Sequence, residues 1–186
     1  MLLEEWTLLI TRAKDIQSKC QYIQISEELT TMLIVAEDHR FWSHAGVDLQ
    51  SLARAAWKML RGNKIEGGST IAMQLVRVLT GRYQRTLKRK LIEIIFALGI
   101  TKIIGKNDIP RIYLMIAYYG WQMNGIKQAA IRLNFDPKSI TSYLAAEIVA
   151  RLKYPEPQTP SIDRIKKIKT RASYILQRHT TSIPKK

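Results

Sequence analysis

The sequence predicts a single all-α domain, and three observations carry that prediction. Apolar residues recur at three- and four-residue spacing along most of the 186 residues. Capping and stopping residues bracket those runs, and sustained period-two alternation is absent apart from a short candidate strand at Tyr22–Ile25. With 46% apolar residues, the chain has enough material for one buried core.

Ser26 caps a first helix whose inward positions are Leu29, Met32, Leu33 and Ala36, ending near Glu37 and Asp38. The spacing places both acids at the helix edge, outside the core. Asp48 caps a second helix with Leu49, Leu52, Ala56 and Leu60 inward and Gly62 as its stop. A loop over Gly62–Gly68 leads to a third helix, started by Ser69 or Thr70 and stopped at Gly81. A longer amphipathic stretch runs from about Thr86 to Ile104. Asn107 or Asp108 caps the next helix, with Pro110 in its first turn, and this helix is expected to reach Gly120. Helices near 125–133, 141–152 and 162–177 complete the set, the last two separated by a proline-rich turn, Tyr154–Pro160.

Residues 1–24 are read as a lead-in segment and 25–186 as the domain. The first twenty residues include Glu4 and Glu5 and have no basic start followed by an apolar core, so they do not read as a secretory signal. No run of about 18 apolar residues suits a membrane span.

Lysine and arginine number 30 against 15 acids, a formal charge of +15 that attracts polyanions: nucleic acid, anionic headgroups or pyrophosphates. Cys20 is the only cysteine, which excludes an intrachain disulfide and a cysteine-based zinc site. His39, His44 and His179 lack metal-ligand spacing.

Two stretches carry chemistry. The first, Glu37-Asp38-His39-Arg40-Phe41-Trp42-Ser43-His44-Ala45-Gly46, puts adjacent carboxylates just after an apolar helix. The second combines Gly67-Gly68-Ser69-Thr70-Ile71-Ala72-Met73-Gln74-Leu75 with the basic run Arg85-Thr86-Leu87-Lys88-Arg89-Lys90-Leu91-Ile92-Glu93. A glycine turn opening a helix offers free N–H groups to an anion. Arg85, Arg89 and Glu93 are spaced by four, so on one helix they would share a face. Taken singly, each has an ordinary reading: a solvated helix end, a plain turn, an exposed Arg89–Glu93 ion pair worth about 0.3–0.5 kcal/mol.

In this order, from about Ile25 to Gln177, the motifs resemble glycosyltransferase family 51, the peptidoglycan glycosyltransferases. The resemblance implies a lysozyme-like helical fold and an inverting polymerisation of lipid II into β-1,4 glycan. It makes Glu37 the catalytic base and Glu93 the second catalytic carboxylate. It assigns Arg54, Ser69, Gln74, Arg77, Arg85 and Arg89 to the substrate pyrophosphate. Asp38, Phe41, His44, Gly68 and Thr70 would shape the site. Because the donor carries its own activation, no cofactor is required, although a divalent metal (Mg or Mn) at the pyrophosphate, near Glu93, is compatible with it. The implied partners are lipid II, the growing glycan, an anionic membrane surface and other cell-wall synthesis proteins, with no nucleic acid expected. The implied location is the extracytoplasmic face of the bacterial cytoplasmic membrane. Family members usually carry a membrane helix ahead of the catalytic domain, so the reading expects either a trimmed chain or attachment by another route. Trp57, Leu60 and Ile65, interleaved with Lys58, Arg61 and Lys64, suit membrane contact, but equally suit an ordinary amphipathic helix. The basic run 164–169 reads as a solvated helix face.

The chain departs from the family pattern in the segment Ile109-Pro110-Arg111-Ile112-Tyr113-Leu114-Met115, with Arg111 in place of an acid and Met115 in place of an asparagine. The pair could signal altered donor affinity, weak processivity or a retired enzyme; retention of both Glu37 and Glu93 argues against retirement. Two other functions compete. A lysozyme-like hydrolase would use the carboxylates but has no purpose for the arginines. A non-catalytic binder of lipid precursor or nucleic acid would use the charge, but no nucleic-acid signature accompanies it.

Overall fold

The computed structural model describes residues 2–62 and 67–182. Among them the chain forms helices α1 (Leu2–Cys20), α2 (Glu27–Glu37), α3 (Leu49–Leu60), α4 (Ile71–Thr80), α5 (Leu87–Ile104) and α6 (Ile109–Ile116). A two-stranded hairpin, β1 (Tyr118–Gly120) and β2 (Met123–Asn124), comes next. Helices α7 (Ile126–Leu133), α8 (Ser142–Lys153) and α9 (Ile162–Ser182) complete the fold. It is a mostly helical, lysozyme-like domain.

The capping chemistry sets most boundaries. Ser26, Thr70, Thr86 and Thr141 each accept a backbone N–H in the first turn of α2, α4, α5 and α8. Asp48 does the same for α3, accepting from Gln50 N and Ser51 N at 3.1 Å. Gly81 ends α4 in the left-handed conformation that glycine adopts without a Cβ penalty.

Helix α2 lies at the centre, burying Leu29, Met32, Leu33 and Val35 against α6, α8 and α9. Helix α4 buries Ile71, Ala72, Met73, Leu75, Val76 and Leu79 against α1, α5 and α6. The residues read as a lead-in form α1, which joins this core. Leu9 and Ala13 are buried, Trp6 packs on Phe96 with ring centroids 5.2 Å apart, and Gln17 donates to Ile104 O and Asp108.

The structure differs from the sequence reading at several elements. Helix α3 does not bury the face expected of it: Leu49, Ala56 and Leu60 are exposed and Leu52 is half-buried, because among the described residues no other helix covers that side. Tyr22–Ile25 is not a strand: it is a turn and an extended link that delivers Ser26 to its capping position. The strands lie instead at 118–124, so α6 stops at Ile116 rather than reaching Gly120. Gly120, with φ +145, lets β1 approach Glu156 closely; Trp121 N donates to Glu156 O at 2.8 Å and Glu156 N to Tyr119 O at 3.0 Å. Those bonds tie the proline-rich segment to the hairpin. Helix α9 continues to Ser182, past the expected end at Gln177.

Candidate active site

The site grows from the C-terminal end of α2. Glu37 is its last residue, and its side chain keeps 18% exposure. Two helices contact its carboxylate directly and a third acts through one of them. From α4, Gln74 Nε2 donates to Oε2 at 3.1 Å. From α6, the Tyr113 hydroxyl donates to Gln74 Oε1 at 2.7 Å, which fixes the amide so that its NH₂ faces Glu37. Burial first, and the Glu37 charge second, push the Tyr113 phenol well above its ordinary pKa, so it stays a donor. From α9, Arg171 Nη2 donates to Glu37 Oε1 at 3.3 Å and to Ala36 O at 2.9 Å. Each carboxylate oxygen therefore has one protein donor and lone-pair capacity left over.

Asp38, the next residue, has a different task. It is buried, with Oδ2 accepting from Ile71 N at 3.1 Å and Oδ1 accepting from His44 Nε2 at 2.9 Å. The N–H of Gly46 donates to His44 Nδ1, which leaves the ring proton on Nε2. Thr70 Oγ1 then donates to Gly46 O at 2.6 Å. Asp38, His44, Gly46 and Thr70 thus brace the end of α2 to the start of α4. The expectation that both acids lie at an exposed helix edge fails for Asp38, because its acceptors satisfy buried N–H groups. The helix N-terminus read as an anion cradle is likewise occupied. Ile71 N is taken by Asp38 and Met73 N by Thr70.

The brace depends on Gly46. Its φ is +107, and a Cβ there would lie 2.5 Å from Thr101 Oγ1 and 2.7 Å from Ala97 O. Gly46→Ala is therefore expected to cost about 3 kcal/mol, combining backbone strain with overpacking. Thermal melting should show a loss of about 10 °C, and an unchanged midpoint would contradict the brace. Phe41 packs beneath, buried, with its ring 4.9 Å from Trp42 and 6.2 Å from His44.

The second carboxylate, Glu93 on α5, is 2% exposed and enclosed by cations. Arg77 on α4 reaches it as a fork, Nη2 to Oε1 at 2.8 Å and Nε to Oε2 at 3.2 Å. Arg89 pairs with Oε2, and Lys90 Nζ lies 3.3 Å from Oε1. Ser69 Oγ joins the cluster, accepting from Lys90 at 2.9 Å and from Arg77 at 3.3 Å. Three cations against one carboxylate leave two positive charges in surplus. Burial lowers the Lys90 pKa from the ordinary lysine value, and the Glu93 charge counters part of that. Gln74 and Arg77 are three apart on α4, so the Glu37 and Glu93 networks lie side by side along one helix face.

The structure brings Ser69, Arg77, Arg89 and Glu93 together, and it places Gln74 on Glu37 instead of among the cations. Arg85 is exposed in the segment before α5. It does not share a helix face with Arg89 and Glu93, because Thr86 caps the helix and Leu87 begins it. Arg54 is exposed on α3, its side chain donating to Ser51 Oγ at 3.3 Å. Gly68 lies close to α3, where a Cβ would meet Ala55 and Ser51 O near 3.0 Å. Trp57 and Leu60 are exposed at the end of α3, and Ile65 lies outside the described residues. Arg111 is exposed, outside the Glu37 network, and Met115 is half-buried.

Sequence reasoning gave no role to Lys90, Tyr113 or Arg171. Lys90 precedes Glu93 by three residues on the helix and was within reach of the spacing argument. Arg171 is 134 residues from Glu37, and no local pattern announces it.

Glu93 does not suit a resident divalent metal. Its oxygens are engaged by three cations that would repel one, and the described residues hold no group of three or more His, Cys, Asp or Glu side chains placed to bind it.

A transglycosylase family model matches residues 7–180, nearly the whole chain and all of the site. The chain belongs to the transglycosylase family. The chain is 32% identical over 139 residues to penicillin-binding protein 1F of Bacillus subtilis, covering 74% of the chain and 20% of that protein. It is 32% identical over 160 residues to penicillin-binding protein 1A of Pseudomonas aeruginosa, covering 85% of the chain and 19% of that protein. Against penicillin-binding protein 1A of Escherichia coli it is 38% identical over 108 residues, 58% of the chain and 13% of that protein. The chain spans about a fifth of the length of the first two.

Proposed function

We propose that this transglycosylase polymerises lipid II, a lipid-linked disaccharide-peptide, into β-1,4 glycan with inversion. Glu37 removes the proton from the acceptor 4-hydroxyl, and that oxygen attacks the anomeric carbon of the donor. The carbon–oxygen bond to pyrophosphate breaks, and its electron pair leaves on a phosphate oxygen. Arg77, Arg89 and Lys90 meet the charge that develops there. A single displacement with no protein nucleophile inverts the anomeric centre. The reaction needs neither nucleotide nor resident metal, since the donor supplies the activation and the cluster supplies the charge.

The observation that carries this reading is the contrast between the two carboxylates. Glu37 is reachable and held by neutral Gln74 and one arginine. Glu93 is sealed within a cationic cluster whose surplus charge suits a pyrophosphate. A hydrolase needs two reachable carboxylates, and it would have no use for the cations that enclose Glu93. Incubated with fluorescent lipid-linked precursor, the protein is expected to give a ladder of polymer on a gel. Precursor that stays intact under all conditions contradicts the reading.

A lipid-linked substrate implies a reaction at a membrane, and the family resemblance supports the extracytoplasmic face of the bacterial cytoplasmic membrane. No helix among the described residues is long and apolar enough to cross one. Support for surface contact comes from Trp57 and Leu60, 56% and 78% exposed, with the Arg61 guanidinium 4.4 Å over the indole. Replacing both Trp57 and Leu60 by serine should weaken binding to anionic vesicles in a sedimentation assay without lowering the melting temperature. Equal binding would remove this end of α3 from the membrane face.

A further inference from the structure

A groove of about 380 Å³ lies between α2, the turn Phe41–Ser43 and the start of α6, and the mechanism above does not use it. Its volume falls within the range of about 300–1,000 Å³ typical of small-ligand sites. Glu27, Thr30 and Thr31 line one wall from α2; Asn107 and Arg111 line the other; Trp42 stands at the edge. Three features define what it would take.

The first is a pair of unlike charges that do not meet. Glu27 and Arg111 share the groove, yet among the described residues no ion pair or side-chain hydrogen bond engages either one. Both are exposed, and unlike charges on the two walls of one groove suit a ligand carrying both an ammonium and a carboxylate. The second is Trp42, 62% exposed and set edge-on against buried Phe41 at 77°, a fixed apolar plate beside the charges. The third is position. Ile34 also lines the groove and precedes Glu37 by three residues on α2, so one end of the groove lies a single helical turn from the base.

We propose that this groove binds the peptide portion of the acceptor, taking its ammonium on Glu27, its carboxylate on Arg111 and its aliphatic part on Trp42. The proposal rests on the transferase reading for the identity of the whole substrate. Arg111 is the specificity-determining residue. An acid at this position, as in the family pattern, would give two carboxylates facing one groove and favour a purely cationic group. Thr30, Thr31 and Asn107 add neutral hydrogen-bonding groups for the peptide backbone.

The test uses a soluble synthetic peptide with a free amine and a free carboxylate, without sugar or lipid, titrated into the wild-type chain and followed by NMR. Binding is expected, and it should weaken about tenfold in Arg111→Glu and in Glu27→Arg, while the double charge swap regains part of it. Blocking the peptide's amine or amidating its carboxylate should have the same effect as the matching single substitution. In turnover, Arg111→Glu is expected to lower the kcat/KM ratio of peptide-bearing to peptide-free precursor about tenfold. Peptide binding that ignores both charges, or a ratio that Arg111→Glu leaves unmoved, overturns the proposal. Loss of polymer formation in the wild type with charge-dependent peptide binding retained would sink the transferase reading and leave the groove standing.

Discussion

Glu37→Gln is expected to lower the rate of glycan polymerisation by about 10²–10⁴-fold, the usual contribution of a positioned general base. The substitution keeps the shape of the side chain and an oxygen for Arg171, but it removes the capacity to take a proton. It also disturbs a directional chain. Tyr113 O–H donates to the Gln74 carbonyl, and the Gln74 amide donates to Glu37. An amide at position 37 can present its NH₂ to that of Gln74, two donors face to face. Relief requires Gln74 to turn over, which sets its NH₂ against the buried phenol and costs about 1 kcal/mol. Melting should therefore fall only slightly while polymer formation collapses. A Glu37→Gln protein that polymerises at the wild-type rate would remove Glu37 from the chemistry.

Glu93→Ala has a large expected effect on stability. Glu93 is the counterion of Arg77, Arg89 and Lys90, whose side chains are 28%, 14% and 26% exposed. Its removal leaves three cations crowded in a largely buried site, a defect of about 3–5 kcal/mol for a buried pair. The partial exposure of Arg77 and Lys90 lets them move toward water and puts the loss near the lower bound. That corresponds to a drop of about 6–12 °C in the melting midpoint. The sharper signature is rescue. Inorganic pyrophosphate should raise the midpoint of Glu93→Ala more than that of the wild type, because it supplies the missing negative charge to the folded state. A variant that melts like the wild type, or that pyrophosphate leaves unmoved, would show that Glu93 is not the cluster's counterion.

Local chemistry was readable in the sequence, and long-range geometry was not. Ser26, Asp48, Thr86, Thr141 and Gly81 mark their helix ends because a cap acts within three or four residues. The hairpin at 118–124 escaped because its strands are too short for alternation; it is held by close approach at Gly120 and by pairing with distant Glu156. Helix α1 escaped because its buried positions, Leu9 and Ala13, matter only through the helices they meet. The same division runs through the site. Glu37, Ser69, Arg77, Arg89 and Glu93 sit in contiguous motifs. Arg171 reaches Glu37 from another helix, and Gln74 bridges Glu37 to Tyr113 across three helices. Arg85 was misplaced because a period-four argument holds only inside a helix, and the Thr86 cap excludes it by one residue.

The most direct measurement counts, in one reaction, the lipid pyrophosphate released and the disaccharide units joined, and reads the configuration of each new linkage by NMR. One pyrophosphate per linkage, all of them β, is the predicted result. Cleavage of finished glycan with the lipid donor untouched, or an α-linked product, would contradict an inverting transferase built on Glu37 and the Glu93 cluster.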